Sequence, residues 1–124
     1  MTADRILVVD DDEAIRQIVR LCLSEEGYEV IEAPNGEAAF EKLEESPAPP
    51  SLILLDLRMP VMDGWEFARR YQLTAEPHAP IVAFVAAFDA ARDCADLPTA
   101  AIINKPFDLD DLLRAVRGVL LTAS

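Results

Sequence analysis

Two short runs in this chain, Ile6-Leu7-Val8-Val9 and Leu52-Ile53-Leu54-Leu55, are apolar without interruption, and each stops at an aspartate, Asp10 or Asp56. A strand with one wet face alternates polar and apolar residues. A strand that does not alternate is buried on both faces, as in a parallel sheet covered by helices. The intervening segments supply such helices. Glu13 to Glu26 carries Ile15, Ile18, Val19, Cys22 and Leu23 at helical spacing and is closed by Gly27. Glu37 to Glu45, after an Asn35-Gly36 turn, carries Ala38, Ala39, Phe40 and Leu43. Asp63-Gly64 opens a third helix with Trp65, Phe67, Ala68 and Tyr71 on its inner face. Ala86 to Leu97 reads as a weak helix or a mobile turn, and Leu109 to Leu121 as a closing helix with Leu112, Leu113, Val116, Val119 and Leu120 inward. A weaker strand is expected at Tyr28 to Glu32, a strand introduced by Pro80 at Ile81 to Val85, and a last short strand at Ala101 to Ile103. The Pro-rich stretch Ser46 to Pro50 is too short to separate domains.

Strands and helices therefore alternate five times. The expected fold is α/β: a (βα)5 doubly wound, five-stranded parallel sheet with helices on both faces. The flavodoxin-like strand order 2-1-3-4-5 suits this pattern. With 124 residues, 1–124 is expected to form a single domain with no output domain after the closing helix. No apolar run approaches the roughly 18–20 residues that cross a bilayer, and Met1 to Arg5 is no secretory signal, so a cytoplasmic protein is expected. The formal net charge of −12 argues against a nucleic-acid partner, whose phosphates need Lys and Arg. It fits a cation site or a basic partner, although surface acid also simply keeps small proteins soluble. Cys22 and Cys94 lack metal-ligand spacing, and Cys22 reads as a small core residue.

In open α/β sheets, ligands bind beyond the carboxyl ends of the strands, where the strand order reverses. Here the first strand ends in Asp10-Asp11-Asp12, the third in Asp56 and the fifth near Lys105. Carboxylates gathered this closely repel one another and need a compensating cation. Their oxygens favour Mg²⁺, Mn²⁺ or Ca²⁺ over softer metals. A carboxylate nucleophile, a hard metal and a lysine are the parts that phosphoryl transfer to an aspartate requires. The competing explanation for Asp10 to Asp12 is helix capping, for which one residue suffices; Asp12 is the candidate. The competing explanation for Lys105 is a solvated loop lysine.

The chain resembles the response-regulator receiver family of two-component signalling. The resemblance rests on Ile6-Leu7-Val8-Val9-Asp10-Asp11-Asp12, on Leu54-Leu55-Asp56-Leu57-Arg58-Met59-Pro60-Val61-Met62-Asp63-Gly64, and on Lys105-Pro106-Phe107. It implies that Asp56 is the phosphoacceptor and Lys105 the lysine that contacts the phosphoryl group. It implies that Mg²⁺, with Mn²⁺ as an alternative, is held by Asp11, Asp10, Asp56 and the backbone carbonyl of Arg58, and that Pro106 is cis. The implied partner is a histidine kinase or histidine phosphotransfer protein, with a downstream protein on the face made by the fourth helix, fifth strand and fifth helix. The implied protein is not an enzyme beyond promoting its own aspartyl phosphorylation and dephosphorylation.

Two positions depart from the family. Val85 stands where a Thr or Ser normally ends the fourth strand, and Ile102 where a Tyr or Phe is usual in the fifth. Val donates no hydrogen bond and Ile has no ring to swing, so the output relay is expected to be atypical. Thr99 is the only nearby substitute hydroxyl. Phe84 and Phe88 read either as core or as a docking surface. The main alternative is a protein-interaction module that keeps the fold without phosphorylation. A haloacid-dehalogenase-type phosphohydrolase using Asp10 and Asp12 lacks its Gly-Thr continuation here. A flavodoxin lacks its phosphate loop.

Overall fold

The structure is a computed structural model and describes residues 4–46, 48–59, 61–74, 77–85 and 99–123. In chain order these form β1 (Arg5–Val9), α1 (Glu13–Glu25), β2 (Glu29–Ala33), α2 (Gly36–Glu44), β3 (Leu52–Asp56), α3 (Gly64–Gln72), β4 (Ile81–Val85), β5 (Ala101–Asn104) and α4 (Leu109–Ala123). The helix or turn expected over 86–97 lies outside the described residues, as do Cys94 and Phe88. The strands pair in parallel in the order β2-β1-β3-β4-β5. This is the doubly wound sheet that the uninterrupted apolar runs require.

Strand alternation divides the core in two. Ile6, Val8, Leu52, Leu54, Val82 and Phe84 pack with Val19 and Leu23 of α1 and Leu112 and Val116 of α4. Leu7, Val9, Ile53, Leu55, Ile81, Ala83 and Val85 pack on the other face with Ala39 of α2 and Trp65, Phe67, Ala68 and Tyr71 of α3. Each fully buried aliphatic side chain contributes about 1.5–3 kcal/mol, so a polar residue inside β3 or β4, where every position is buried, would be costly. Phe84 belongs to this core, stacked on Phe107 with ring centroids 4.9 Å apart.

Short polar side chains fix the helix starts. Asp12 accepts hydrogen bonds from the Ala14 and Ile15 N–H groups, Asn35 from Ala38, and Asp63 from Glu66. Gly27 follows α1 with φ 92°, a conformation that glycine adopts without cost. One expected core residue falls outside the core. Ile18 is 50% exposed, because it sits about 100° around the helix from Val19 and so reaches the rim of the buried stripe.

Candidate functional site

The register of the sheet brings the acids together. Val9 is paired with Leu55, so the next residue of each strand, Asp10 and Asp56, emerges beside the other at the carboxyl ends of β1 and β3. These are the neighbouring strands between which the strand order reverses. Asp10 and Asp56 are the buried charged residues among the described residues, 1% and 4% exposed. Asp11 is exposed beside them, and one carboxylate oxygen from each of Asp10, Asp11 and Asp56 lies within 4.8 Å of the others.

Each carboxylate has a distinct environment. Asp10 Oδ1 accepts a hydrogen bond from the Asp12 N–H at 2.9 Å, whereas its buried Oδ2 has no hydrogen-bond partner among the described residues. Burial pushes the Asp10 carboxyl up to about 6; the Asp12 N–H opposes this, the Asp56 charge adds to it, Lys105 opposes it and Asp11 adds again. An anionic oxygen buried without a donor is expensive unless a cation meets it. Three hard oxygen donors, one of them orphaned, fit a divalent metal of the Mg²⁺ or Mn²⁺ kind. Asp56 Oδ1 accepts from Lys105 Nζ at 3.1 Å and from the Arg58 N–H at 3.3 Å. Lys105 is held at the end of β5, where its N–H donates to the Val85 carbonyl at 2.8 Å, and the Lys105–Pro106 peptide is cis as expected.

The residues singled out in the sequence thus meet in one crevice of about 970 Å³, whose lining includes Asp10, Asp11, Asp56, Arg58 and Lys105. Asp12 serves as the helix cap. Val85 closes β4 and is buried, so no hydroxyl stands there. Thr99 does not replace it: the next residue, Ala100, donates to the Ile81 carbonyl, which places Thr99 at the start of β4, the far end from the crevice. Ile102 is 42% exposed on β5. His78 also precedes β4 at the far end, with Nε2 2.8 Å from the Thr74 carbonyl and its ring edge-on to Tyr71.

Several contributors escaped the sequence. Arg16 of α1 donates to the Asp10 carbonyl at 2.7 Å and pairs with Glu32, tying α1 to the end of β1. Ile15, Ile18, Phe107 and Leu109 form an apolar shoulder on the crevice. The Gly64 N–H donates to the Leu57 carbonyl at 2.9 Å. A Cβ on Gly64 would lie 2.6 Å from Leu57 Cα and 2.7 Å from the Asp56 carbonyl oxygen. Only the Asp-Gly pair at 63–64 signals this contact, and it reads equally well as an ordinary helix start.

Comparison with known proteins agrees with this geometry. The family model for the response regulator receiver domain matches residues 6–117. The response regulator receiver protein CpdR of Brucella abortus is 38% identical over 122 residues, covering 96% of this chain and 98% of CpdR. Response regulator MprA of a Mycobacterium species is 36% identical, but the chain spans only 52% of its length. The crystal structure of a CheY-like receiver domain protein from Methanospirillum hungatei superposes with a TM-score of 0.80 at 30% identity, covering 96% of this chain and 98% of that one. With three carboxylates and a lysine converging at the switch point of a 2-1-3-4-5 sheet, and with this match over most of its length, the chain belongs to the response regulator receiver family of two-component signal transduction.

Proposed function

We propose that residues 1–124 act as one receiver unit that accepts a phosphoryl group on Asp56 from a histidine kinase or histidine phosphotransfer protein. The observation that carries this reading is the position of Asp56, buried between the Asp10–Asp11 acids and the Lys105 ammonium. In the transfer, an Asp56 carboxylate oxygen bonds to phosphorus as the P–N bond of a donor phosphohistidine breaks. The imidazole leaves with the electron pair and takes up a proton. Lys105, already 3.1 Å from Asp56, stays within reach to neutralise the acquired charge. A bound Mg²⁺, or Mn²⁺, held by Asp10, Asp11, Asp56 and the Arg58 backbone carbonyl, would neutralise phosphoryl oxygens in the same way. The reaction serves the protein's own phosphorylation and dephosphorylation and turns over no other substrate.

The apolar shoulder of Ile15, Ile18, Phe107 and Leu109 supports a protein donor, because a small phosphodonor has no use for it. Half-exposed Ile102 supports a downstream protein on the β5–α4 face. The net charge supports a signalling role without nucleic-acid contact; a cytoplasmic location is part of the proposal, and among the described residues no helix is long and apolar enough to cross a membrane.

Intact-mass measurement after incubation with Mg²⁺ and acetyl phosphate tests the reading. One phosphoryl group should be gained by the parent and none by Asp56→Asn. Equal labelling of the two proteins would place the acceptor elsewhere.

A further inference from the structure

Asp10 lies one residue beyond the last paired position of β1, where Val9 is in register with Ala33 and Leu55. The pairing of the sheet therefore does not by itself fix how the chain leaves β1, although the acids that follow Val9 must be aimed into the crevice. The Asp10 N–H still reaches the Ala33 carbonyl at 3.1 Å, but β2 ends there, and the Asp10 carbonyl accepts instead from Arg16 Nη1 at 2.7 Å. A charged donor makes this one of the shorter and stronger kinds of hydrogen bond. Arg16 is itself held. Glu32 of β2 meets Arg16 Nε at 3.4 Å with one carboxylate oxygen and Arg20 Nε at 3.5 Å with the other. The Arg16 side chain is 15% exposed and that of Arg20 45%, so the arm that reaches Asp10 is the sheltered one. The Arg16 N–H donates to the carbonyl of Asp12, the cap of α1, at 3.0 Å. A peptide unit is planar, so the carbonyl of Asp10 and the N–H and Cα of Asp11 move together. A donor that fixes that carbonyl fixes the point from which the Asp11 side chain starts.

We propose that Arg16 is a positioning residue for the metal site: by holding the Asp10 carbonyl it sets the Asp10–Asp11 peptide plane, and with it the direction in which Asp11 presents its carboxylate to a divalent cation. Glu32 keeps the guanidinium turned toward that carbonyl. The proposal rests on Asp10 and Asp11 holding Mg²⁺. Its expected effect is opposite in sign to that of charge alone. A positive charge near a cation site repels the cation, so by charge alone the loss of Arg16 would tighten Mg²⁺ binding. Loss of a group that orients a metal ligand instead weakens binding, commonly by about 10–100-fold.

Calorimetric titration of the full chain with Mg²⁺ alone decides between the two, with circular dichroism to establish that each variant is folded. Arg16→Ala should bind Mg²⁺ about tenfold more weakly than the parent. Arg16→Lys, which keeps a cationic donor on a long stem, should recover part of the loss. Arg20→Ala should match the parent, because it removes a neighbouring positive charge and one Glu32 ion pair without touching the Asp10 carbonyl. Unchanged or tighter binding in Arg16→Ala would overturn the proposal, and so would an equal loss in Arg20→Ala. Should Arg16→Ala not fold, Arg16→Gln suits a helix and ends two bonds short of Nη1, and it carries the same expectation and the same refutation. A parent that binds no Mg²⁺, or an Asp11→Ala variant that binds it as tightly as the parent, would overturn the metal reading and this proposal with it.

Discussion

Asp10 is the residue whose ionisation works against the fold, and the cost can be worked out. Its carboxyl moves from an ordinary 3.8 to about 6, chiefly through burial. At roughly 1.4 kcal/mol per pH unit, the ionised folded state is disfavoured by ~3 kcal/mol. The folded pKa lies above the unfolded one. Between about pH 4 and 6 the native state therefore holds the extra proton, and stability falls as pH rises through that window. Asp10→Asn removes the titration, and its Oδ1 still accepts the Asp12 N–H that Asp10 accepts at 2.9 Å. Its new amide N–H can donate toward Asp11 and Asp56. In metal-free buffer at neutral pH, Asp10→Asn should be more stable than the parent by up to ~3 kcal/mol, on the order of 10 °C in Tm. The difference should vanish near pH 4. Saturating Mg²⁺ should narrow or reverse it, since a ligand bound only by the native state stabilises the parent, and the variant lacks one of the carboxylates proposed to hold the metal. Urea melts of both proteins at several pH values, with EDTA and with Mg²⁺, provide the assay. Taking the difference between the two proteins cancels the titration of acids that do not interact with Asp10, leaving Asp10 and its coupling to Asp56 and Asp11. Parallel stability curves across the window would refute the assignment of the cost to Asp10.

Asp11→Ala should raise metal-free stability and abolish the rise in Tm on adding Mg²⁺; a response surviving in both Asp11→Ala and Asp56→Ala would point to a different site. Gly64→Ala should lose about 1–3 kcal/mol by urea denaturation, because the added methyl meets backbone that cannot move aside, and it should slow phosphorylation by displacing Asp56. Val61 has φ 71° and is 74% exposed, so Val61→Gly or Val61→Asn should gain about 1 kcal/mol by relieving a β-branched residue in the left-handed region; a loss in both would show that its side chain is needed. Beryllofluoride should shift backbone amide resonances near the crevice, and the β5–α4 face should move less than in Val85→Thr with Ile102→Tyr; equal movement of that face in both proteins would show that the two substitutions do not silence the relay.

How far the sequence could be read depended on whether the cause of a feature is local. The interior strands declared themselves because burial on both faces leaves no room for polar alternation; β1 and β3 are the cases in point. β2 did not, and it runs one residue later than expected, Glu29–Ala33, because an edge strand with an exposed, then half-buried pattern has no periodicity to fix its register. The helix starts were legible from Asp12 and Asp63, whose side chains act on N–H groups two or three residues away. α4 runs two residues past its expected end, with Thr122 donating back to the Gly118 and Val119 carbonyls. The features that escaped depend on how the chain turns between one element and the next: Arg16 of α1 reaching back to the Asp10 carbonyl, Gly64 at the start of α3 pressed on Leu57 after β3, Ile18 on the rim of the crevice.

The same distinction bears on the two departures from the family pattern. Asp10, Asp11, Asp56 and Lys105 are kept where the sheet delivers them, and their geometry serves chemistry at one point. Val85 ends β4 and Ile102 lies on β5, the two strands that follow β3 across the sheet. Val85 is packed in the core on the α3 side, while Ile102, paired in register with Ala83, is already half outside next to buried Ile103. An aliphatic residue in that position has no second, buried ring site to occupy. Any change transmitted from the crevice must then travel through groups that respond to charge rather than through a swinging ring, because a ligand shifts a conformational balance only through contacts that differ between the states. Arg58 is such a group: it sits at the crevice mouth, tied to Asp56 through its backbone and to Trp65 through its side chain. Trp65 leads into α3, not α4. A change of charge at the crevice is therefore expected to reach the β3–α3 loop and the start of α3.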